Sequence, residues 1–320
     1  MGWLRQMASR ARKGPQTGGD AIVAHITAAT GAGEPFTFGF GDVEVLAYRV
    51  DDPLPHVLYV TLGLSRARSA VPVAGTQTEL TMRVPALTPV PYAWPAEQLA
   101  AMARQVRASG NEIAPGHYLR LGAPLAGAAG ICGFTFVTDP VLGIIDPPTG
   151  VVRFTYAVGV TTAELEAALA WDPLKFTGVL GDAVALGLTG PERGDIMADP
   201  RVRARVEGSA GREGSSISAE LAHCLSTSPS GRIDIDPRAA RALLRAARYR
   251  ACFGKPFALV RGETWLRLAP GAPFEADDAH VQLPATPELV NELLATFDDA
   301  PGTYRLRSAP VVIHVVDMSR

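Results

Sequence analysis

The run Glu79-Leu80-Thr81-Met82-Arg83-Val84 alternates polar and apolar residues without interruption. A period of two is the spacing at which an extended chain sends successive side chains to opposite faces, so the run predicts a β-strand. Leu80, Met82 and Val84 fall on one face, Glu79, Thr81 and Arg83 on the other. Reading the second face as wet makes at least part of the sheet antiparallel, because parallel sheets are covered on both sides. Upstream, Val43–Val50 and Val57–Leu64 read as strands separated by Asp51-Asp52-Pro53, a turn composition.

Helix starts are equally legible. Pro95 suits a first helical position, where its missing N–H costs nothing, and Leu99, Met102 and Val106 recur at one face behind it. Thr161-Thr162-Ala163-Glu164 has the spacing of a capping box, in which hydroxyl and carboxylate reciprocally satisfy two backbone N–H groups. Thr286-Pro287 opens a third helix, with Val290, Leu293, Leu294 and Phe297 as its apolar face. Further strands are expected at 133–137, 141–145, 151–158, 233–236, 257–260, 264–268, 280–283, 304–306 and 311–316. Helices and strands interleave without a sustained βαβ repeat, which predicts an α+β fold rather than a doubly wound sheet.

A length of 320 residues predicts about two domains. From Pro191 to Ser230 the chain turns polar, with Gly and Ser concentrated around Gly208–Ser218, and the boundary is placed there. The expected organisation is a flexible basic arm over 1–20, a first domain over 21–222 and a smaller α+β domain over 223–320. A net charge of −2 argues against a nucleic-acid surface. Three distant cysteines, Cys132, Cys224 and Cys252, form neither a disulfide framework nor a metal site, and a reducing, cytoplasmic compartment is expected. No stretch reaches the ~18–20 apolar residues that a membrane span requires.

Candidate chemistry is sparse. Ser65, in Gly63-Leu64-Ser65-Arg66-Ala67 at a strand end, has the look of a hydrolase nucleophile, yet Val71-Pro72 follows where such a serine needs a helix. Asp234 and Asp236 alternate along a strand and so share a face, either as a weak cation site or as a wet edge. The six histidines never take metal-ligand spacing. No cofactor and no metal are expected. A hydrolase using Ser65, or a metal enzyme using Asp234 and Asp236, is the alternative to a non-enzymatic protein.

Five motifs in order resemble the suppressor-of-fused family. They are Val60–Ser65 with Glu79–Arg83, then Trp94–Leu99, then Gly159–Leu165, then Glu192–Ile196 with Asp199-Pro200, and finally Gly214–Ser218. The stretch Gly254–Asp317 is similar, more weakly, to the family's C-terminal domain. The resemblance implies a two-domain α+β fold, each domain a mixed or antiparallel sheet with packed helices, and a protein that binds a partner and catalyses nothing. It further implies that an extended peptide is gripped in the interdomain cleft by strand addition, in which edge N–H and C=O groups supply affinity and side-chain pockets supply selectivity. Carried over by position, Gln105, Ile113 and His117 belong to the first wall, with Ile113 in an apolar position. Ile233 and Ile235, within Arg232–Ile235, belong to the second. Gln105 stands where a tyrosine is expected and His117 where an acid is expected. Stand-alone bacterial relatives resemble immunity proteins, so a toxin is the specific partner the resemblance suggests.

Overall fold

The computed structural model describes residues 17–41, 43–65, 77–125, 130–147, 150–190 and 192–318. The arm expected over 1–20 therefore lies largely outside the described residues. By packing, the chain forms two units, one of residues 1–160 with 184–193 and one of 161–183 with 194–320. Composition draws its line at 222/223, whereas packing assigns 161–183 and 194–222 to the second unit.

The first unit runs α1 (Thr17–Thr30), β1 (Phe36–Phe40), β2 (Val43–Val50), β3 (His56–Leu62), β4 (Gln77–Pro85), α2 (Ala93–Ser109), β5 (Tyr118–Arg120), β6 (Gly133–Thr138), β7 (Ile144–Ile145) and β8 (Val152–Val160). Its strands form one mixed sheet in the order β1-β2-β3-β4-β8-β6-β5, with β7 against β8. Neighbours are antiparallel except β4 and β8, which run parallel with Leu80 opposite Thr155. Helix α2 begins at Ala93, two residues before the expected Pro95, which still lies in the first turn where no intrahelical N–H is needed. Leu99, Met102 and Val106 pack with Leu80, Met82 and Val84 in one core cluster.

The expected wet face of β4 is corrected. Glu79 and Thr81 are 0% exposed and Arg83 is 2% exposed. Leu58 and Val60 flank them in register, and Ile22 and Ile26 of α1 join those leucine and valine side chains in a second core cluster. Alternation set the period, but it cannot distinguish water from a second covering layer. Each polar group is accommodated because it has a partner, without which its burial would cost several kcal/mol. Arg83 and Asp139 make two hydrogen bonds of 2.8 Å, while Asp139 also accepts from the Thr81 hydroxyl and the Val141 and Leu142 N–H groups. The Arg83 guanidinium stacks 4.7 Å from the centre of the Tyr156 ring.

The second unit runs α3 (Thr162–Ala170), α4 (Pro173–Ala183), α5 (Pro200–Glu213), β9 (Ala219–Leu221), β10 (Leu225–Thr227), β11 (Arg232–Ile235), α6 (Pro237–Tyr249), β12 (Phe257–Arg261), β13 (Thr264–Ala269), β14 (Glu275–Ala276), β15 (His280–Pro284), α7 (Pro287–Thr296), β16 (Gly302–Arg305) and β17 (Val312–Val315). The capping box at α3 forms as expected, with Thr161 N–H reaching Glu164 at 2.8 Å and Glu164 N–H reaching Thr161 at 3.2 Å. The polar stretch read as a boundary contains α5, started by Asp199 accepting from Arg201 N–H at 2.8 Å. Two sheets, β14-β15-β13-β12-β9 and β10-β11-β17-β16, pack one face each into a core shared with α6 and α7. The α+β class is as expected, with every sheet mixed rather than purely antiparallel.

Candidate functional site

Strand addition needs an edge whose backbone groups aim away from the sheet. In the second unit β9 supplies one. Among the described residues it joins its sheet through β12 alone, in parallel register with Glu220 opposite Leu259. Ala258 N–H donates to Ser218 C=O at 3.0 Å, and Ala222 N–H donates to Val260 C=O at 2.9 Å. These bonds turn Ser218, Glu220 and Ala222 toward β12. By alternation Ala219 and Leu221 turn their N–H and C=O groups outward. The Leu221 side chain is 69% exposed.

Register extends Leu221 into a row. Leu221 lies opposite Val260, Val260 opposite Trp265, and Trp265 opposite His280. Leu259, Leu266 and Val281, one position along, are buried in the core, so the row occupies the opposite, outer face. Trp265 and His280 stack with ring centres 4.7 Å apart. Beside them Arg267 and Gln282 line a concavity of about 260 Å³ walled by Pro256, Ala269 and Pro270. The edge thus carries apolar surface on one face and backbone polarity along its rim.

The opposite face of β9 is anchored by charge. Glu220, 4% exposed, pairs with Arg245 of α6, which also reaches Glu166 of α3 at 2.5 Å. Nothing in the sequence pattern announced β9, because three residues in a polar stretch are too few to display a period.

In the first unit β5 pairs with β6, and among the described residues no strand lies on its other side. Of the expected first-wall residues, Gln105 is exposed on α2, and Ile113 is half-buried against the α2 core cluster. His117 is exposed, directly before β5, and its Nδ1 accepts from Ala114 N–H at 3.2 Å, a bond that requires this nitrogen to be unprotonated. Its carbonyl is tied to Phe136 N–H at 3.1 Å.

The second wall is corrected. Ile233 and Ile235 are 0% exposed, and β11 is paired on both sides, by β10 and β17. An interior strand offers neither an open ladder nor an available side chain, so these two residues are core.

The alternative chemistry also finds structural employment. Ser65 donates to Glu79 at 2.5 Å, so a carboxylate is within reach of its hydroxyl. That carboxylate also accepts from Thr61 Oγ1 and from the N–H groups of Gly63, Leu64 and Ser65, and burial pushes the Glu79 carboxyl up. With Ser65 only 5% exposed, Glu79 ties down the turn after β3. Asp236 caps α6, accepting from Ala239 N–H at 3.0 Å, while Asp234 binds Arg232, Ser226 and His314. Among the described residues no group of three or more His, Cys, Asp or Glu is placed to hold a metal ion. Nor is any described helix long and apolar enough to cross a membrane.

Residues 41–193 match the family model for Suppressor of fused protein (SUFU). That segment carries a suppressor-of-fused domain. Human Suppressor of fused homolog is 31% identical over 160 residues, and the mouse homolog likewise; the match takes in 47% of this chain and 33% of each homolog. It therefore spans about a third of the length of those suppressor-of-fused proteins. The crystal structure of Drosophila Suppressor of Fused superposes with a TM-score of 0.71 at 18% identity, over 94% of this chain and 97% of that one. A chain of the Sufu–Fu complex crystal structure superposes at 0.54 and 21% identity, over 60% of this chain and 98% of that one. The suppressor-of-fused fold accordingly extends well beyond the segment that the family model matches.

Proposed function

We propose that this chain is a non-enzymatic protein-binding module whose partner adds an extended segment as a strand to an exposed sheet edge. The observation that carries the reading is β9, with outward backbone groups at Ala219 and Leu221 beside the apolar row Leu221–Val260–Trp265. A β-strand added there gains main-chain hydrogen bonds along the rim and apolar contact for alternate side chains. A related fold crystallised as the Sufu–Fu complex supports a protein as the kind of partner. In the first unit we assign the β5 edge a similar role, with Ile113 as an apolar contact and Gln105 and His117 as polar ones. A toxin neutralised by this chain is the specific form we propose for the partner.

The test is affinity capture from native lysate with the wild type, Ala219→Pro and Leu221→Asp, followed by mass spectrometry. Proline removes an outward N–H without touching the β12 ladder, and aspartate puts a charge into the apolar row. A protein captured by the wild type and lost by both folded variants is the expected result. Equal capture by all three would remove β9 as the site. For the toxin form, co-expression with a captured toxin should restore growth, and continued killing would exclude it.

A further inference from the structure

The far edge of the first unit's sheet is β1, Phe36-Thr37-Phe38-Gly39-Phe40, which among the described residues pairs with β2 alone. Edge strands ordinarily carry a charge, a proline or a bulge that discourages further pairing. These five residues contain no charge or proline, and their register with β2 is unbroken from Phe36↔Ala47 to Phe40↔Val43. Phe36 is 40% exposed, its ring 5.0 Å from that of Phe38, which in turn lies 6.4 Å from Tyr59. An aromatic file thus runs from the core out to the β1 edge.

The order of residues names the occupant. Phenylalanines at 36, 38 and 40 are symmetric about Phe38, and a two-fold interface requires such self-complementarity. We propose that β1 pairs antiparallel with β1 of a second copy of this chain, about an axis through Phe38. That register places Phe36 opposite the partner's Phe40, Phe38 opposite the partner's Phe38, and Thr37 opposite the partner's Gly39. Three aromatic cross-strand pairs result on one face, a contact type that stabilises antiparallel strands. With five residues per copy the interface is short, so association is weak and concentration-dependent.

Thr37 and Gly39 are exposed on the other face, and a Cβ at Gly39 would meet nothing within 4 Å, so both positions accept side chains. Sedimentation equilibrium of the full chain is measured from ~1 to ~200 µM, the range in which weak dimers titrate. The wild type should approach twice its monomer mass. T37K/G39K sets like charges opposite one another and should weaken dimerisation at least tenfold. T37K/G39E instead faces each introduced cation with an introduced anion of the second copy and should restore it. Denaturation midpoints matching the wild type confirm that each variant is folded. A wild type that stays monomeric, or dimers of equal strength in both variants, would overturn the proposal.

Discussion

Arg83 and Asp139, 56 positions apart in the chain, are joined by a two-pronged ion pair with 2.8 Å on each prong and almost no exposure to water. The pair links the middle strand β4 to the segment after β6, and Asp139 holds the following turn through Val141 and Leu142 N–H. Removing one partner leaves a buried charge uncompensated. Arg83→Met or Asp139→Asn should each destabilise the fold by about 3–5 kcal/mol. Urea denaturation checks this, and a loss below about 1 kcal/mol would show that water reaches the site.

The same pair gives an acid-side pH dependence. Burial pushes the Asp139 carboxyl up, but the Arg83 charge, its hydrogen bonds and those of Leu142 and Thr81 pull it down further, leaving it below the ordinary carboxylate range. A depressed folded-state value means the contribution is complete above the unfolded value near ~3.9 and is lost as pH falls through the folded one. Wild-type stability should therefore decline below about pH 4 more steeply than that of Asp139→Asn. Parallel declines in the two proteins would contradict the assignment.

Glu79 works in the opposite sense, since burial raises its carboxyl. Its contribution is complete below the unfolded value near ~4.3 and diminishes as pH rises through the folded one. Glu79→Ala strands the Gly63, Leu64 and Ser65 N–H groups together with two hydroxyls, each loss costing roughly 1–3 kcal/mol when unreplaced. Hydrogen exchange at Leu64 and Ser65 should accelerate in any fraction that still folds.

Arg245 makes a sharper test of how β9 is held. Arg245→Met leaves Glu220 buried and unpaired, and should cost about 3 kcal/mol or more. Adding Glu220→Leu removes the orphaned charge, so R245M/E220L should recover most of the loss in a denaturant titration. A double mutant as unstable as the single would mean that Arg245 acts through packing instead.

Ile233 and Ile113 separate core from contact. Ile233→Asp places a carboxylate at a site with 0% exposure and should abolish folding at ordinary temperature. Ile113→Asp, at a half-buried loop position, should leave a cooperative thermal transition. Comparable melting temperatures for the two variants would undo that distinction.

Several elements were legible because their signals are local. The capping box at Thr161 and Glu164, the Thr286-Pro287 start of α7 and the strand periodicity of 43–50 and 79–84 need only neighbours a few residues away. Helices α5 and α6 were missed although Asp199-Pro200 and Asp236-Pro237 mark their first turns. Yet α6 is strongly periodic: Arg238, Arg241, Arg245 and Arg248 recur at helical spacing between the buried Ala239, Ala240, Ala242, Leu243, Ala246 and Ala247, so its signal is local too. The first-wall positions Gln105, Ile113 and His117 came from resemblance, whereas β9 emerged only from pairing.

What the sequence determined by itself was where the chain bends, caps and alternates, and therefore its α+β class. Tertiary structure decided which faces are dry and which strands are edges. Alternation in β4 does not reveal that a second layer covers Glu79, Thr81 and Arg83, and the composition of Arg232–Ile235 does not reveal strands on both sides. Burial and edge position depend on which distant segments arrive, and a local periodicity contains no information about them.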